Sequence, residues 1–351
     1  MTVLDHFREQ VLGAAGAGRT LRIRGGGTKD WYGQSFEGDI LDTRTYAGII
    51  DYEPTELVVT ARCGTPLADI EAALTERGQM LAFEPPHFGE GATFGGAVAS
   101  GLSGPRRASS GAVRDFVLGV QLMDGQGQVL TFGGQVMKNV AGYDVSRLLA
   151  GSMGTLGLML QMSVKVLPLP LRELTVRFEM SEIDALARLN EWGGQPLPLS
   201  ASCWNNGVLT LRLSGASAAV DAAERLLGGE RVPDGAAFWR GLREHQHAFF
   251  GNADSLWRLS VPSAASAILL RGEQLIEWGG AQRWLKSASD AATAQNIRRA
   301  VGAAGGHATL FRGGDKKVGV FHPLAPAVAS IHARLKASFD PSYVFNPARM
   351  Y

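Results

Sequence analysis

The 351-residue chain carries 34 Lys and Arg against 33 Asp and Glu, a net charge of +1, which leaves no electrostatic footprint for nucleic acid. Apolar residues make up 45% of it, enough core for two domains, and no stretch approaches the ~18 apolar residues of a membrane span. The two cysteines, Cys63 and Cys203, lie far apart and form no C-x-x-C, which fits a reducing compartment and excludes an iron–sulfur cluster held by this chain.

Met1–Arg8 lacks an apolar core, so no signal peptide is expected. Residues 1–18 read as a helix that runs out in glycines. Leu21–Arg24 reads as a strand that empties into Gly25-Gly26-Gly27-Thr28. Consecutive glycines leave successive backbone N–H groups uncovered, so this is either a plain turn or a nest for anionic oxygens, with the Thr28 hydroxyl as a further donor. Strands follow near Ile40–Asp42, at Ile49–Tyr52 and at Leu57–Ala61, and Cys63 just beyond reads as a buried thiol. Leu67, Ile70, Ala73 and Leu74 have helical spacing within Pro66–Arg77, and Gly78 ends that helix.

A second glycine cluster spans residues 85–107. Thr93 is placed to N-cap a helix starting near Gly95. Gly96–Ser100 is small on every face and lets a flat ligand or another backbone approach closely. The N-terminus of this helix is expected to offer free N–H groups and a favourable dipole to a diphosphate. Arg106 and Arg107 read equally as phosphate ligands or as a solvated basic loop. Gly111–Val120 reads as a turn and a strand.

The third cluster is the most informative. Irregular Lys138–Asp144 precedes a short helical stretch, Val145–Leu149, and Gly151-Ser152-Met153-Gly154-Thr155-Leu156-Gly157 then leads into the strand-like Leu158–Leu160. Four glycines within 16 residues suit neither helix nor strand interiors. They suit a backbone lying flat against something large, or a turn before a core strand. Glycine totals 45, about 13% of the chain against a usual ~7%, and the excess sits in these clusters. No G-x-G-x-x-G follows a strand and the dipeptide Gly-Lys does not occur, which removes the nicotinamide fingerprint and the P-loop. There is no G-x-S-x-G elbow and no H-E-x-x-H. The clusters call for a large, flat, diphosphate-bearing ligand on a different fold.

The strand Met162–Val166 ends at Pro168-Leu169-Pro170, which marks a domain boundary. Beyond it come a strand at Leu174–Glu179, a helix at Ile183–Trp192, a hairpin of Ala201–Trp204 and Val208–Leu213 around Asn205-Asn206-Gly207, and a helix at Ala216–Leu227. A small antiparallel sheet with helices on one face is the simplest packing. His245 and His247 are read on a helix, where positions two apart do not share a face, so no metal site is expected. Trp192, Trp204, Trp239, Trp257, Trp278 and Trp284 read as core or interface, and so many in one domain suit burial against a partner.

The runs RIRGGGT, GATFGGAVASGLSGPRR…GAVRDFVLG and KNVAGYDVSRLLAGSMGTLG resemble the FAD-binding domain of the vanillyl-alcohol oxidase/PCMH flavoprotein superfamily, and within it the FAD-binding subunits of bacterial glycolate oxidases. The C-terminal FDPSYVFNPARMY resembles the tail of the same branch. The likeness is dense over residues 19–170 and thin over about 171–335. It implies an α+β fold, with a two-subdomain PCMH-type FAD-binding domain at 1–170, a smaller antiparallel α+β cap at 171–325, and a segment at 326–351 that returns to the FAD domain. It further implies that Arg24, Gly25, Gly26, Gly27 and Thr28 cradle the diphosphate and that Thr93, Gly95, Gly96, Ser100, Ser103 and Gly104 run along it towards the flavin ring. Gly151, Gly154, Thr155 and Gly157 would close over the cofactor, with Lys138 and Asp144 shaping the loop before them.

Many members bond a histidine after the first glycines covalently to flavin. Here that place is Thr28, and no cysteine lies between 85 and 120, so noncovalent FAD is expected. The family's histidine-rich cap motif is reduced to Gly305–Gly314, which keeps His307 alone. His307, Arg312 and His322 are therefore the candidates for a base and a carboxylate clamp, although His307 reads first as a core or strand-end residue and Arg312 first as part of a solvated loop. The lack of a signal peptide and of a membrane span predicts a cytoplasmic chain, peripheral to a membrane only through its complex. By the resemblance, it would act with a homologous catalytic flavoprotein and an iron–sulfur subunit to oxidise glycolate to glyoxylate. The alternatives are a self-sufficient 2-hydroxy acid dehydrogenase and a non-catalytic assembly subunit.

Overall fold

The computed structural model describes residues 1–134 and 144–350. It divides into two units, one of Met1–Ser103, Gly111–Pro168 and Pro323–Tyr351, the other of Gly104–Ser110 and Leu169–His322. The assignment of Gly104–Ser110 to the second unit has no local sequence signal.

The first unit is built on a five-stranded antiparallel sheet in the order Ile49–Glu53, Val58–Arg62, Leu158–Lys165, Val117–Met123, Val129–Gly133. Strand and helix alternate along the chain, yet the sheet is antiparallel, so the class is α+β. Leu158–Lys165 is one strand where the sequence reads two short ones, and it is central and buried on both faces, which hides the usual alternation. Met159, Met162 and Val164 pack against the helices Leu67–Thr75 and Phe94–Ser100 through Leu67, Ile70, Leu74, Ala97 and Val98. Leu158 and Leu160 face the other way and join Phe7, Val11 and Ala14 of the N-terminal helix Val3–Gly16. The short parallel pair Leu21–Arg24 and Asp39–Asp42 belongs to this second layer. A helical turn, Val113–Phe116, precedes the strand read at Gly111–Val120.

The C-terminal helix Pro326–Phe339 and the tail after it are held by a buried pair. The Asp340 carboxylate is fully buried and accepts from the Val344 and Phe345 amides at 2.9 and 2.8 Å. It also accepts from Lys336, whose ammonium donates to the Thr155 and Phe345 carbonyls at 2.7 Å each. One charge pair thus ties helix, tail and the third glycine segment together.

The second unit is an eight-stranded antiparallel sheet, in the order Glu230–Arg231, Arg172–Glu179, Val208–Gly215, Leu199–Asn205, Glu273–Glu277, Gln282–Lys286, Ser255–Ser260, His307–Gly313. The predicted hairpin around Asn206 is present. The helices Glu182–Gly193, Ser217–Leu227 and Ala291–Ala303 supply apolar residues to one face. The expectation of helices on one face alone is corrected by Gly235–Arg243. Its Trp239 donates to Thr175 Oγ1 at 2.9 Å, whereas the adjacent Val176 packs under Ala185 and Leu189. Neighbouring strand residues point to opposite faces, so both faces carry helix. The tryptophans other than Trp204 are buried within this unit, which answers their number without a partner.

His245 and His247 do not lie on a helix as read. The helix stops at Arg243, and His245 takes a left-handed backbone, φ 55°. Its ring stacks on Phe250 at 3.8 Å between centroids. Burial, with the Arg312 and Arg258 guanidiniums adding to it, pushes its pKa well below the ordinary 6.5. The unfolded chain therefore takes up a proton that the folded one refuses. This contribution to stability is complete above pH 6.5 and is lost as the pH falls below it.

Two outcomes are expected. Asp340→Ala lowers unfolding free energy by about 3–5 kcal/mol in denaturant titration, the usual cost of breaking a buried ion pair. His245→Asn, which tolerates the left-handed backbone, flattens the fall in melting temperature between pH 7 and 5. An unchanged slope would mean that another group sets it.

Candidate functional site

The site begins where strand Leu21–Arg24 ends. That strand is clamped by Asp39–Asp42 on one edge and the C-terminal tail on the other. Leu21 N donates to Val344 O at 2.7 Å, Asn346 N to Leu21 O at 2.9 Å, and Ile23 N to the Asn346 side chain at 2.9 Å. The glycines that follow are dictated by a neighbour. A Cβ on Gly25 would stand 2.2 Å from Thr93 Oγ1, and one on Gly26 would stand 1.7 Å from Gly91 O. The first glycine loop therefore lies directly on the second segment. Among the described residues the amides of Gly25, Gly26, Gly27 and Thr28 donate to no protein acceptor. Such a row of free donors is an anion nest.

Thr93 caps the helix Phe94–Ser100 as expected, accepting from Gly96 N at 3.2 Å. The expected free N–H groups at this helix start are absent. Phe94 N donates to Thr65 O and Gly95 N to Cys63 O, at 2.9 and 2.8 Å. The helix N-terminus is anchored into the sheet layer, and the open donors come from the first loop instead. Gly95 is needed for that anchoring, since a Cβ there would sit 2.7 Å from Cys63 Cβ. Burial pushes the thiols of both cysteines up.

The third segment closes on the second through backbone. Gly151 N donates to Val98 O at 3.0 Å and Met153 N to Ala99 O at 2.8 Å. A Cβ on Gly101 would stand 2.7 Å from Gly151 Cα. The three segments meet at a hollow of about 90 Å³ lined by Arg24–Thr28, Thr93, Gly96, Ser100 and Met153. That is small beside the roughly 300–1,000 Å³ of whole-ligand sites and suits the linking group of a ligand rather than its rings. Asn346 and Arg349 line it too, and both also line a largely apolar cavity of about 600 Å³ bounded by Gly151, Thr155 and the C-terminal helix.

The remaining predicted residues have other places. Ser100 Oγ donates to Ala97 O at 2.9 Å, and Ser103 Oγ accepts from Val113 N at 3.2 Å. Gly104 belongs to the second unit. Gly154 faces the Asn346 side chain and Gly157 the Met123 carbonyl, so both serve packing and do not line the hollow. Asp144 is the exposed cap of the helix Val145–Leu148 and pairs with Arg147 at 3.3 Å. Lys138 lies outside the described residues. Arg106 is buried against Glu173 and is not a phosphate ligand.

Sequence reasoning assigned Arg24 to the diphosphate and missed the other charges. Arg22, Arg24, Lys29 and Arg349 line the hollow against the single carboxylate of Asp30. Asp30 holds Arg22 at 2.5 Å and Arg24 at 2.8 Å. Arg349 is buried, donates to the Lys29 and Asp30 carbonyls at 3.3 and 3.2 Å and stacks over Phe36 at 4.5 Å. Burial pushes its pKa down to about 10, with Asp30 opposing, so it stays cationic at neutral pH. The i, i+2 spacing of Arg22 and Arg24 on a strand was a legible sign; nothing local pointed to Arg349.

In the second unit, His307 opens the last strand opposite Ser260. Burial, then Arg258 and His322, push its pKa down, which leaves a neutral imidazole at pH 7. His322 Nδ1 accepts from Ala308 N at 3.4 Å. Arg312 instead acts on His245, beyond a bulge in the strand pairing.

A model of the family described as FAD binding domain matches residues 5–133. Over 343 residues, 98% of the chain, the sequence is 51% identical to the glycolate oxidase subunit GlcE of Escherichia coli (strain K12), and the match covers 96% of that protein. The chain belongs to the family of FAD-binding glycolate oxidase subunits. FAD is its cofactor, and it is an FAD-dependent oxidoreductase. A shorter stretch of this subunit, 140 residues or 40% of it, is 31% identical to the glycolate oxidase subunit GlcD of Bacillus subtilis (strain 168), covering 30% of that protein. The fold is shared with alkyldihydroxyacetonephosphate synthase at a TM-score of 0.66 and 14% identity, over 98% of the subunit and 74% of the synthase.

The subunit's hollow fits its cofactor on its own terms, with free amides, surplus positive charge and glycines that admit no side chain. Arg349→Met keeps bulk and removes the charged donor. It is expected to weaken FAD binding to the deflavinated protein by about 10–100-fold, the range of a charge-assisted hydrogen bond, read by quenching of flavin fluorescence. Unchanged affinity would place the diphosphate elsewhere.

Proposed function

We propose that this chain is the FAD-binding subunit of a glycolate oxidase complex and that it holds FAD noncovalently in the hollow where its three glycine segments meet. The observation that carries the reading is the row of free amides from Gly25 to Thr28 beneath four cations and one carboxylate. Those amides and the Arg24, Lys29 and Arg349 side chains hold the diphosphate. Thr93, Gly96 and Ser100 form the wall along it, and Met153 of the third segment closes the other side. Bound FAD supplies two-electron redox chemistry.

The complex oxidises glycolate to glyoxylate, with a catalytic flavoprotein and an iron–sulfur subunit as partners. Within this chain His307, a neutral imidazole at pH 7, is the candidate proton acceptor, with Arg312 and His322 as the other polar candidates. Noncovalent attachment follows from Thr28 at the histidine position and from both thiols being buried. Among the described residues no helix is long and apolar enough to cross a membrane.

Native co-purification with flavin and iron counted per subunit tests the reading. The expected result is flavin with this chain, iron with a partner, and full release of flavin on acid precipitation. Purified chain alone is expected to reduce a dye with glycolate far more slowly than the complex. Flavin that stays with the acid-precipitated polypeptide would overturn noncovalent binding, and dye reduction by the lone chain at the rate of the complex would overturn the need for partners.

A further inference from the structure

We propose that Arg258, seated against Trp278, and His307 form a binding site within the second unit for a small carboxylic acid with a hydroxyl on its α carbon. The carboxylate half of this stands on the unit's own geometry; the choice of a 2-hydroxy acid rests on the glycolate oxidase reading above.

The register of the sheet brings the two residues together. In the antiparallel pair Ser255–Ser260 and His307–Gly313, Arg258 stands opposite Thr309 and Ser260 opposite His307. Directly opposed residues share a face, and so do residues two apart on a strand, so Arg258 and His307 point to the same side. As diagonal neighbours they are about 7–8 Å apart, a gap for a ligand of a few atoms. Arg312 lies five residues along the strand from His307, about 17 Å at the usual rise and too far to share so small a ligand.

Arg258 is held so that one edge stays available. Its Nε donates to Gln282 Oε1 at 2.8 Å, and its guanidinium lies 5.4 Å over the Trp278 ring. Gln282 in turn donates through Nε2 to Glu277 Oε2 at 3.1 Å, where Trp284 Nε1 also donates at 2.7 Å. The glutamine is thus a neutral spacer between Arg258 and the Glu277 carboxylate. Among the described residues no carboxylate pairs with Arg258, and no acceptor meets its Nη1 and Nη2 groups. Those two groups form the fork that binds a planar carboxylate through parallel bonds. Arg107 places a second guanidinium 4.5 Å over the same indole. Two cations against one ring repel each other, and an anion beside them offsets that repulsion.

Trp278 is buried and has a left-handed backbone, φ 55°. For a bulky residue this is an outlier, and such outliers cluster where ligands are clamped. Its Nε1 donates to Gly104 O at 3.1 Å, which fixes the ring under Arg258. His307 supplies the second contact. It sits at the open start of its strand, and partial burial, then Arg258 and His322, push its pKa below the ordinary 6.5. A neutral imidazole accepts a hydrogen bond from a hydroxyl, and a protonated one does not.

Equilibrium dialysis of the full chain against labelled glycolate and labelled acetate tests this, with the flavin kept reduced by dithionite so that glycolate is not consumed. Both acids are expected to bind, glycolate about fivefold more tightly, the worth of one hydrogen bond. Arg258→Met is expected to weaken both by about 10–100-fold, the range of hydrogen bonds to a charged group. Arg258→Lys keeps the charge without the fork and is expected to weaken both by about tenfold. His307→Ala is expected to bring glycolate down to the acetate value and leave acetate unchanged. Tryptophan fluorescence checks folding, and should the methionine variant unfold, the lysine variant carries the test. A natural chain that takes up neither acid, or Arg258 variants that hold both at the natural affinity, would overturn the site. Equal affinity for the two acids in the natural chain would overturn the part of His307. A chain that binds FAD but neither acid fails this proposal alone, and one that binds both acids through Arg258 but no FAD fails the flavin reading alone.

Discussion

Backbone packs directly on backbone in the first unit, and the rest of the site follows from that constraint. Gly26 lies on the Gly91 carbonyl, and Gly101 on Gly151. Contacts this close exclude any side chain, and they leave amide groups facing an open hollow with no local partner. A half-buried row of free donors is costly unless an anion or water meets it. The glycine-rich composition is therefore a requirement of one approach geometry rather than a sign of looseness.

Charge completes what backbone begins. The chain as a whole is nearly neutral, yet four cations gather around one carboxylate at the hollow. Asp30 keeps Arg22 and Arg24 from repelling each other, and Arg349 is stacked on Phe36 and fixed by two carbonyls. A cation held this way keeps its charge although burial opposes it, and a diphosphate gains more from a fixed, partly dehydrated guanidinium than from a mobile surface one. The tail that carries Arg349 is itself held by the Lys336–Asp340 pair, so a charge buried in the scaffold positions a charge at the site.

The second unit has a different logic. Its sheet has helices on both faces, and its arginines and tryptophans serve mostly to join strands and turns. Arg283 is fully buried and donates to three backbone carbonyls, while Trp284 and Gln282 share the Glu277 carboxylate. His245, His307 and His322 are all shifted towards the neutral form by burial. Neutral imidazoles suit proton acceptance, and they also suit plain packing; the His245–Phe250 stack is an instance of the second.

The sequence by itself determined the three glycine segments, the Thr93 cap, most helices and strands, and the family, because each rests on neighbours a few residues apart or on a run of matching residues. It offered the nest at Gly25–Thr28 as one alternative but wrongly added free amides at the start of Phe94–Ser100, since whether that helix start is open depends on Thr65 and Cys63, about thirty residues away. It read the second sheet as small, because four of its strands lie beyond residue 250 in stretches without clean alternation. Only the tertiary structure could bring Asn346 and Arg349 to the hollow, make Arg106, which read as either a phosphate ligand or a solvated loop residue, the partner in a buried pair, and assign residues 104–110 to the second unit. Those outcomes depend on which distant carboxylate or carbonyl stands opposite, and that is a property of the folded chain and not of any local stretch of it.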